Sequence, residues 1–189
     1  MSQERIEPAL TPAQLEAAQD GWVPVEPLES VGTGRSFVSG EPNGDRLRVR
    51  YFRRDRDGAL VGNIWFGPGA EGPPGHAHGG SMAAVLDEAM GAGAWMAGYT
   101  VLAAKLTTEF RRMLPLNTEV LLEAWVDQVD GRKVRTRGRL FGPGGELYAE
   151  GEALFIVLDP ERFGPMVERA ARMLDRALGA ADLREDGDD

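Results

Sequence analysis

A glycine-rich run leads directly into an apolar stretch that carries two adjacent carboxylates. The run ends in His78, Gly79 and Gly80, and the carboxylates are Asp87 and Glu88. Unpaired N–H groups at the start of a helix can bind a carbonyl oxygen that gains negative charge. A carboxylate within an apolar helix needs a partner or a function. The stretch therefore offers two chemical tools, an oxyanion-binding helix start and a carboxylate.

The distance between these two tools limits how they can cooperate. Apolar residues recur from Met82 to Met96 with the spacing of an amphipathic helix, which we expect to end near Gly98. Asp87 lies about two turns, roughly 10 Å, from the helix start. It is too far along to share one small atom with its own helix start. It could instead reach a substrate held by a second copy, so the spacing favours a site at a dimer interface.

The segments around this helix have the pattern of strands. Alternation and β-forming residues predict six strands, over residues 46–52, 59–66, 102–112, 118–128, 132–141 and 146–158. In the first of them, Leu47, Val49 and Tyr51 should face inward. Many strands around one long helix predict an α+β fold, with an antiparallel sheet wrapped on that helix.

The two ends of the chain have a different character. Residues 1–44 are predicted to form an arm with a short helix from Thr11 to about Gln19 and a short strand over residues 35–38. A packing arm across the sheet is favoured over a lid. Residues 45–160 would form the main domain, residues 161–180 an amphipathic C-terminal helix, and residues 181–189 a disordered acidic tail.

Composition excludes several function classes. The 189 residues carry a net charge of −9, which argues against a nucleic-acid partner or a polybasic membrane surface. There is no cysteine, hence no disulfide or thiol nucleophile, and His76 and His78 have no third histidine to complete a metal site. No apolar leader or run of transmembrane length is present, so we expect a cytoplasmic protein without membrane contact.

Several motifs together resemble the hotdog-fold acyl-CoA thioesterases of the phenylacetate-pathway and mammalian thioesterase-superfamily-member types. They are the run 71–75, the His78–Gly80 triplet and Asp87, nine residues after His78. The resemblance continues through residues 104–116, 130–133 and 146–157, and covers roughly residues 45–160. It implies a hotdog fold, an acyl-CoA substrate hydrolysed to a carboxylic acid and free coenzyme A, no metal or redox cofactor, and a homodimer or homotetramer.

The resemblance also implies roles for individual residues. Asp87 would act as general base on water or as nucleophile on the thioester carbon. The Gly79 N–H would polarise the thioester carbonyl, and Gly80 would contact the substrate beside it. His78 would line and shape the loop. Two alternatives stay open: Glu88 rather than Asp87 is the base, or Asp87 is a buried aspartate satisfied by a backbone or arginine partner.

Basic residues provide candidates for the phosphates of coenzyme A. The first choices are Arg111, Arg112, Arg132 and Lys133. A second group shares one face of one predicted strand and consists of Arg135, Arg137 and Arg139. For each arginine, the alternative is a charged, solvated sheet face that discourages edge pairing.

The sequence departs from the family pattern at two places. Relatives carry a hydroxyl residue where this chain has Ala103, and many carry an amide where it has Gly72. Thr107, which we assign to substrate binding, and Thr108 are possible replacements for the hydroxyl, and Asn63 is one for the amide if the loop folds back. These departures leave open a non-catalytic acyl-CoA binding or regulatory protein. A hotdog hydratase is disfavoured because no aspartate precedes His78 in the loop.

Overall fold

The structure is a computed structural model that describes residues 15–25, 37–39, 43–159, 161–165, 167–168 and 172. Its main elements are β1 (Trp22–Pro24), β2 (Leu47–Arg54), β3 (Leu60–Phe66), α1 (Gly79–Met96), β4 (Val101–Phe110), β5 (Glu119–Asp130), β6 (Lys133–Phe141) and β7 (Leu147–Val157). A short 3₁₀ turn, Pro68–Ala70, follows β3.

The seven strands form one antiparallel sheet in the order β1-β2-β3-β5-β6-β7-β4. Strand β4 follows α1 in the chain but pairs with β7, so it lies at one edge of this sheet. Helix α1 packs against β3, β4, β5, β6 and β7. The predicted antiparallel sheet wrapped on one long helix is therefore confirmed.

Two glycines in the middle of the sheet leave room for side chains of the helix. A Cβ atom added at Gly138 of β6 would lie 3.1 Å from Met90 Cγ, and one added at Gly151 of β7 would lie 3.1 Å from Met90 Cε. Met90 and its neighbour Leu86 are fully buried in this contact. This packing fixes the rotation of α1 and hence the direction in which Asp87 points.

The opposite face of the sheet carries a second, smaller apolar layer. Leu15, Phe52, Val61 and Trp65 are all at most 8 % exposed, yet they lie outside the main core cluster around α1. The ring of Trp22 lies 5.4 Å from that of Phe52. The described part of the arm, residues 15–25, therefore covers β2 and β3, as expected of a packing arm.

A buried amide attaches this arm to the sheet. Asn63 of β3 is 2 % exposed, and its Nδ2 donates to the carbonyl oxygens of Leu15 at 2.9 Å and Ala17 at 2.8 Å. Because a buried amide without partners is costly, these two bonds specify where the arm lies on the sheet.

Three local expectations differ from the structure. Of the predicted short helix, residues 15 and 16 are helical and residues 17–19 are not, and residues 11–14 lie outside the described residues. Of the short strand predicted over residues 35–38, residues 37 and 38 belong to a turn, and residues 35 and 36 lie outside the described residues. Strand β1 was not predicted. Residues 161–165, 167–168 and 172 are helical, as predicted, whereas the rest of that helix and the acidic tail lie outside the described residues. In the described part of the chain, no helix combines the length and apolarity needed to span a bilayer.

Candidate functional site

The loop before α1 is held by backbone hydrogen bonds rather than by a regular element. His78 N donates to Ala70 O at 2.8 Å, and Ala77 N donates to Leu114 O at 2.9 Å. Gly72 N donates to His76 O at 2.9 Å, which closes a turn inside the loop. These bonds fix the point at which the chain enters the helix.

His78 is the N-cap of α1. Its Nδ1 accepts a hydrogen bond from Gly80 N at 2.9 Å, and its carbonyl oxygen accepts one from Ser81 Oγ at 2.6 Å. Since Nδ1 accepts, the proton of the neutral ring is assigned to Nε2. The Gly80 N–H is therefore already used by the cap, and the sequence pattern gave no sign of this.

Gly79 retains an available donor at the same helix start. Its N–H makes no hydrogen bond to any residue that the structure describes, and it lies at the positive end of the helix dipole. The Phe110 ring covers this position, because a Cβ atom added at Gly79 would lie 3.1 Å from Phe110 Cζ. Phe110 itself is 53 % exposed.

A shallow apolar depression of about 350 Å³ opens beside Gly79. Its lining includes His76, Met82, Phe110 and Arg112. A helix N–H, an apolar wall and a nearby cation together suit a ligand with a polar carbonyl and a negatively charged group.

Asp87 points into a second depression, of about 320 Å³, further along α1. The carboxylate is half-buried, and no described residue gives it a hydrogen bond or an ion pair. Burial raises the pKa of Asp87, which makes its carboxylate a better base once it is ionised. Eight residues, about 12 Å along the axis, separate Asp87 from Gly79 of the same helix.

The neighbouring carboxylate has a different environment. Glu88 Oε1 accepts a hydrogen bond at 3.1 Å from the hydroxyl of Tyr51, which is 5 % exposed. The pKa of Tyr51 is raised well above its usual value by burial and by the negative charge of Glu88. Both carboxylates line the same depression, but Glu88 is hydrogen-bonded to a buried tyrosine, whereas no described residue binds the carboxylate of Asp87. The sequence placed Tyr51 on the inward face but could not show that it meets Glu88.

The strand beside Asp87 lacks a hydroxyl at the nearest position. Ala103 lines the same depression as Asp87 and pairs with Phe155. Thr107 pairs with Glu152 and lines a polar depression together with Arg137, on the sheet face away from α1.

Thr108 faces the opposite way. It pairs with Gly151, where an added Cβ would point at Met90 of α1, so Thr108 shares the helix side of the sheet. Its Oγ1 is buried and has no hydrogen-bond partner among the described residues. Of the two threonines named from sequence, only Thr108 therefore faces the helix.

The four basic residues chosen for phosphate binding fall into two pairs at opposite ends of β4. Arg111 and Arg112 follow its last residue, and Lys133 pairs with Ile156, which also faces Leu102 near its first residue. Arg111 bonds to Glu109 and Glu150, and Arg132 donates to Val157 O at 3.1 Å. In the described chain, no hydrogen bond or ion pair engages the side chains of Arg112 and Lys133.

The arginines on the outer sheet face largely form ion pairs. Arg137 lies 3.1 Å from Glu152 and 3.3 Å from Asp127, and Arg139 pairs with Glu123 at 2.6 Å. These contacts support the interpretation of this surface as a charged, solvated sheet face.

The two possible amide positions also have structural explanations. Gly72 lies against His78, and a Cβ atom added there would be 2.7 Å from His78 Cα. A side chain at this position would therefore displace the helix cap. Asn63 does not replace the missing amide, because its side chain binds the arm on the other face of the sheet.

Comparison with known proteins finds a family that matches the central part of the chain. Residues 74–149 match the family described as "Thioesterase superfamily". The fold is similar to that of a crystal structure described as a thioesterase superfamily protein, with a TM-score of 0.60 and 27 % identity over 75 % of this chain and 68 % of the other. The predicted hotdog fold is thereby confirmed.

Two curated relatives carry the name acyl-coenzyme A thioesterase THEM4. The protein from Bos taurus is 31 % identical over 135 residues, which are 71 % of this chain and 56 % of the relative. The protein from Xenopus laevis is 39 % identical over 95 residues, which are 50 % of this chain and 43 % of the relative. The matches thus span about half the length of these curated relatives.

Proposed function

We propose that this chain, whose residues 74–149 belong to the thioesterase superfamily, hydrolyses the thioester bond of an acyl-CoA. The observation that carries the proposal is the contrast along α1 between an unpaired Gly79 N–H at its start and an unpartnered, half-buried Asp87 in its middle. The names of the curated relatives support the same activity. The products would be a carboxylic acid and free coenzyme A.

In the proposed reaction, each group has one task. The Gly79 N–H binds the carbonyl oxygen and stabilises the negative charge that develops on it. Asp87 removes a proton from a water molecule, whose oxygen then attacks the thioester carbon. The carbon–sulfur bond breaks, and the thiolate of coenzyme A takes up the proton that Asp87 removed from water, which regenerates the Asp87 carboxylate. His78 holds the Gly79 N–H in place, because its side chain caps the same helix turn.

If Gly79 and Asp87 act on the same thioester, the two residues must come from different subunits. Their separation along one helix is about 12 Å, whereas a water-mediated attack needs both groups within a few ångströms of the same carbonyl. Strand β4 ends the described sheet and bears the exposed side chains Leu102 and Phe110, at 47 % and 53 % exposure. We propose that two copies pair antiparallel along this edge.

Pairing along β4 brings opposite ends of the two strands together. The depression at Gly79 of one copy then meets the depression at Asp87 of the other. The same symmetry places Arg112 of one copy near Lys133 of the other, so both basic ends surround one substrate. These two side chains are our choice for the coenzyme A phosphates.

The activity is tested by release of free thiol from a panel of acyl-CoA thioesters. We expect Asp87→Asn to lower kcat by about 100-fold or more. Glu88→Gln is the matched control, because it neutralises the adjacent carboxylate, and it should retain most of the activity. Full activity of Asp87→Asn would exclude the mechanism.

The shared site is tested by subunit mixing. Gly79→Val and Asp87→Asn should each be inactive alone, because the valine side chain blocks the approach of the carbonyl oxygen to the N–H in both sites and the asparagine removes the base from both sites. Co-expressed chains form mixed dimers in which one of two sites is intact, so activity should return to about a quarter of the wild-type level. No recovery, from variants that each fold and dimerise, would place both groups in one subunit.

A non-catalytic acyl-CoA binding protein is the second candidate. Ala103 favours it, since this residue lines the depression at Asp87 without a hydroxyl. Measurable binding of acyl-CoA by the wild type, without thiol release from any thioester, would support this alternative.

A further inference from the structure

The depression at Asp87 is a largely apolar groove between α1, the start of β4 and Phe155 of β7. Its volume is about 320 Å³, and its apolar lining includes Gly91, Trp95, Leu102, Ala103 and Phe155. Asp87 and Glu88, which are adjacent in α1, supply the carboxylates of this lining, and the other lining residues are apolar. A groove with one polar end and apolar walls suits a chain that is polar at one end only.

Spacing along the helix gives the groove its direction. Asp87, Gly91 and Trp95 follow each other at intervals of four residues, so they form one row on the helix surface. The row extends over eight residues, about 12 Å along the helix axis. It therefore leads from the proposed reacting carbon directly to an indole ring.

The indole at the far end is held in place. Trp95 Nε1 donates a hydrogen bond of 3.1 Å to Val101 O, at the first residue of β4. Val101 is 2 % exposed, so the acceptor belongs to the core rather than to a surface loop. An anchored, half-buried aromatic ring makes a firm end wall.

The middle of the groove is open because of Gly91. A Cβ atom added there would lie 3.4 Å from Phe155 Cε1, which is already at contact distance. Any larger side chain at this position would project into the space between α1 and Phe155. Gly91 thus sets the width of the groove, and Trp95 sets its length.

We propose that this groove selects straight, medium-length acyl chains, with Trp95 as the residue that limits their length. The inference rests on the proposed thioesterase function. A carbonyl carbon near Asp87 and a terminal methyl in van der Waals contact with the indole leave room for roughly six to ten carbon atoms. Longer chains must bend out of the groove, and shorter chains leave part of it unfilled.

The proposal is tested with saturated acyl-CoA thioesters of increasing length and an aromatic thioester. For the wild type, kcat/KM should rise about threefold with each added methylene, then level off or fall beyond roughly ten carbons. Trp95→Ala should move the optimum to longer chains by several carbons. Gly91→Leu should move it to shorter chains, because the added side chain blocks the groove halfway.

Two control variants separate these shifts from general damage. Trp95→Phe retains most of the ring bulk without the indole N–H, so its optimum should stay within about two carbons of the wild type. Gly93→Ala adds a methyl group on another face of the same helix, 3.6 Å from Ala124 O, and should leave the length profile unchanged. Thermal unfolding of each variant checks that it folds.

A binding measurement makes the inference independent of turnover. Calorimetry of acyl-CoA binding to Asp87→Asn should show the same dependence on length, with the same shift in Trp95→Ala. Length-dependent binding without any hydrolysis by the wild type would overturn the proposed function and leave the groove assignment standing. Hydrolysis with an optimum that neither Trp95→Ala nor Gly91→Leu moves, or with a preference for the aromatic thioester, would overturn the groove assignment alone.

Discussion

The hydroxyl of Tyr51 donates a hydrogen bond to Glu88 at 3.1 Å and thereby assigns the two adjacent carboxylates of α1 to different environments. Tyr51 belongs to β2 and is 5 % exposed, so the bond joins the helix to the core. Asp87, one residue earlier and about 100° around the helix, lines the same groove as Glu88 but has no hydrogen-bond partner among the described residues. The choice between the two carboxylates as catalytic base thus has a structural basis.

The Tyr51–Glu88 bond should contribute measurably to stability. Tyr51→Phe removes the donor from a partly buried carboxylate, and we expect a loss of about 1–3 kcal/mol in the free energy of unfolding. Urea unfolding of Tyr51→Phe, Glu88→Gln and the double variant measures the coupling between the two residues. Additive effects of the two single changes would show that the bond contributes nothing specific.

Asp87 should show its raised pKa in both activity and stability. Burial favours the protonated form in the folded state, so the acidic limb of the kcat/KM profile should lie above the usual aspartate range. For the same reason, ionisation costs the folded state stability as pH rises from the unfolded pKa through the raised folded one. Asp87→Asn should therefore be more stable than the wild type at neutral pH.

This advantage of Asp87→Asn should disappear in acid. Below the pKa of the unfolded chain, Asp87 is protonated in both states and contributes no pH-dependent difference. Chemical unfolding of the wild type and Asp87→Asn at several pH values tests the sign. A wild type that becomes the more stable protein as pH rises would contradict the desolvation argument.

The cap formed by His78 can be separated from any contact with substrate. His78→Ala removes the acceptor of the Gly80 N–H, and we expect a loss of about 1 kcal/mol in stability. His78→Asn is the matched variant, because asparagine is a strong N-cap, and it should restore most of this loss. If thermal unfolding recovers in His78→Asn while kcat/KM does not, His78 also acts on the substrate. Equal unfolding temperatures of wild type and His78→Ala would rule out the cap as a stabilising contact.

Asn63 should control the attachment of the arm. Asn63→Ala deletes both hydrogen bonds to the carbonyl oxygens of Leu15 and Ala17, and residues 15–25 should then exchange their amide hydrogens faster. Asn43→Ala, at an exposed position, is the control. Hydrogen exchange followed by mass spectrometry gives the readout, and unchanged protection of residues 15–25 would mean that apolar packing alone holds the arm.

Arg112 and Arg137 should differ in their effect on coenzyme A binding. Arg112 has no ion-pair partner among the described residues and lines the depression at Gly79, whereas Arg137 pairs with Asp127 and Glu152 on the outer face. We expect Arg112→Ala to raise the Kd for coenzyme A about tenfold, with a weaker dependence on salt. Arg137→Ala should change it by less than about twofold. The reverse order in calorimetry would move the phosphate site to the outer face.

Sequence periodicity was sufficient for the architecture because α1 and the long strands have strong, uninterrupted patterns. Leu47, Val49 and Tyr51 point inward as their alternation predicted. The same alternation could not reveal that Phe52, facing the other way, is fully buried under the arm. Period-2 patterns show which residues share a face, but they do not show whether a distant segment covers that face.

The candidate site could be predicted only in part from residue spacing. Residue spacing along one helix placed Gly79 and Asp87 about two turns apart, and the structure has the same separation. Other features depend on contacts between segments distant in sequence. These include the use of the Gly80 N–H by His78, the engagement of Arg111 by Glu150, and the direction of Thr107. Periodicity could not show which face of the sheet each side chain of β4 occupies, because the pairing of β4 with β7 shifts register between Ala103 and Lys105.

The apolar layer under the arm has a practical consequence for where the chain can be shortened. The domain boundary suggested by sequence, near residue 45, would remove the residues that cover Phe52, Val61 and Trp65. Those side chains would then form a contiguous apolar patch on the outside of the sheet, of the kind that promotes aggregation. A shortened protein that stays soluble should therefore begin before Leu15, even though the family match starts only at residue 74.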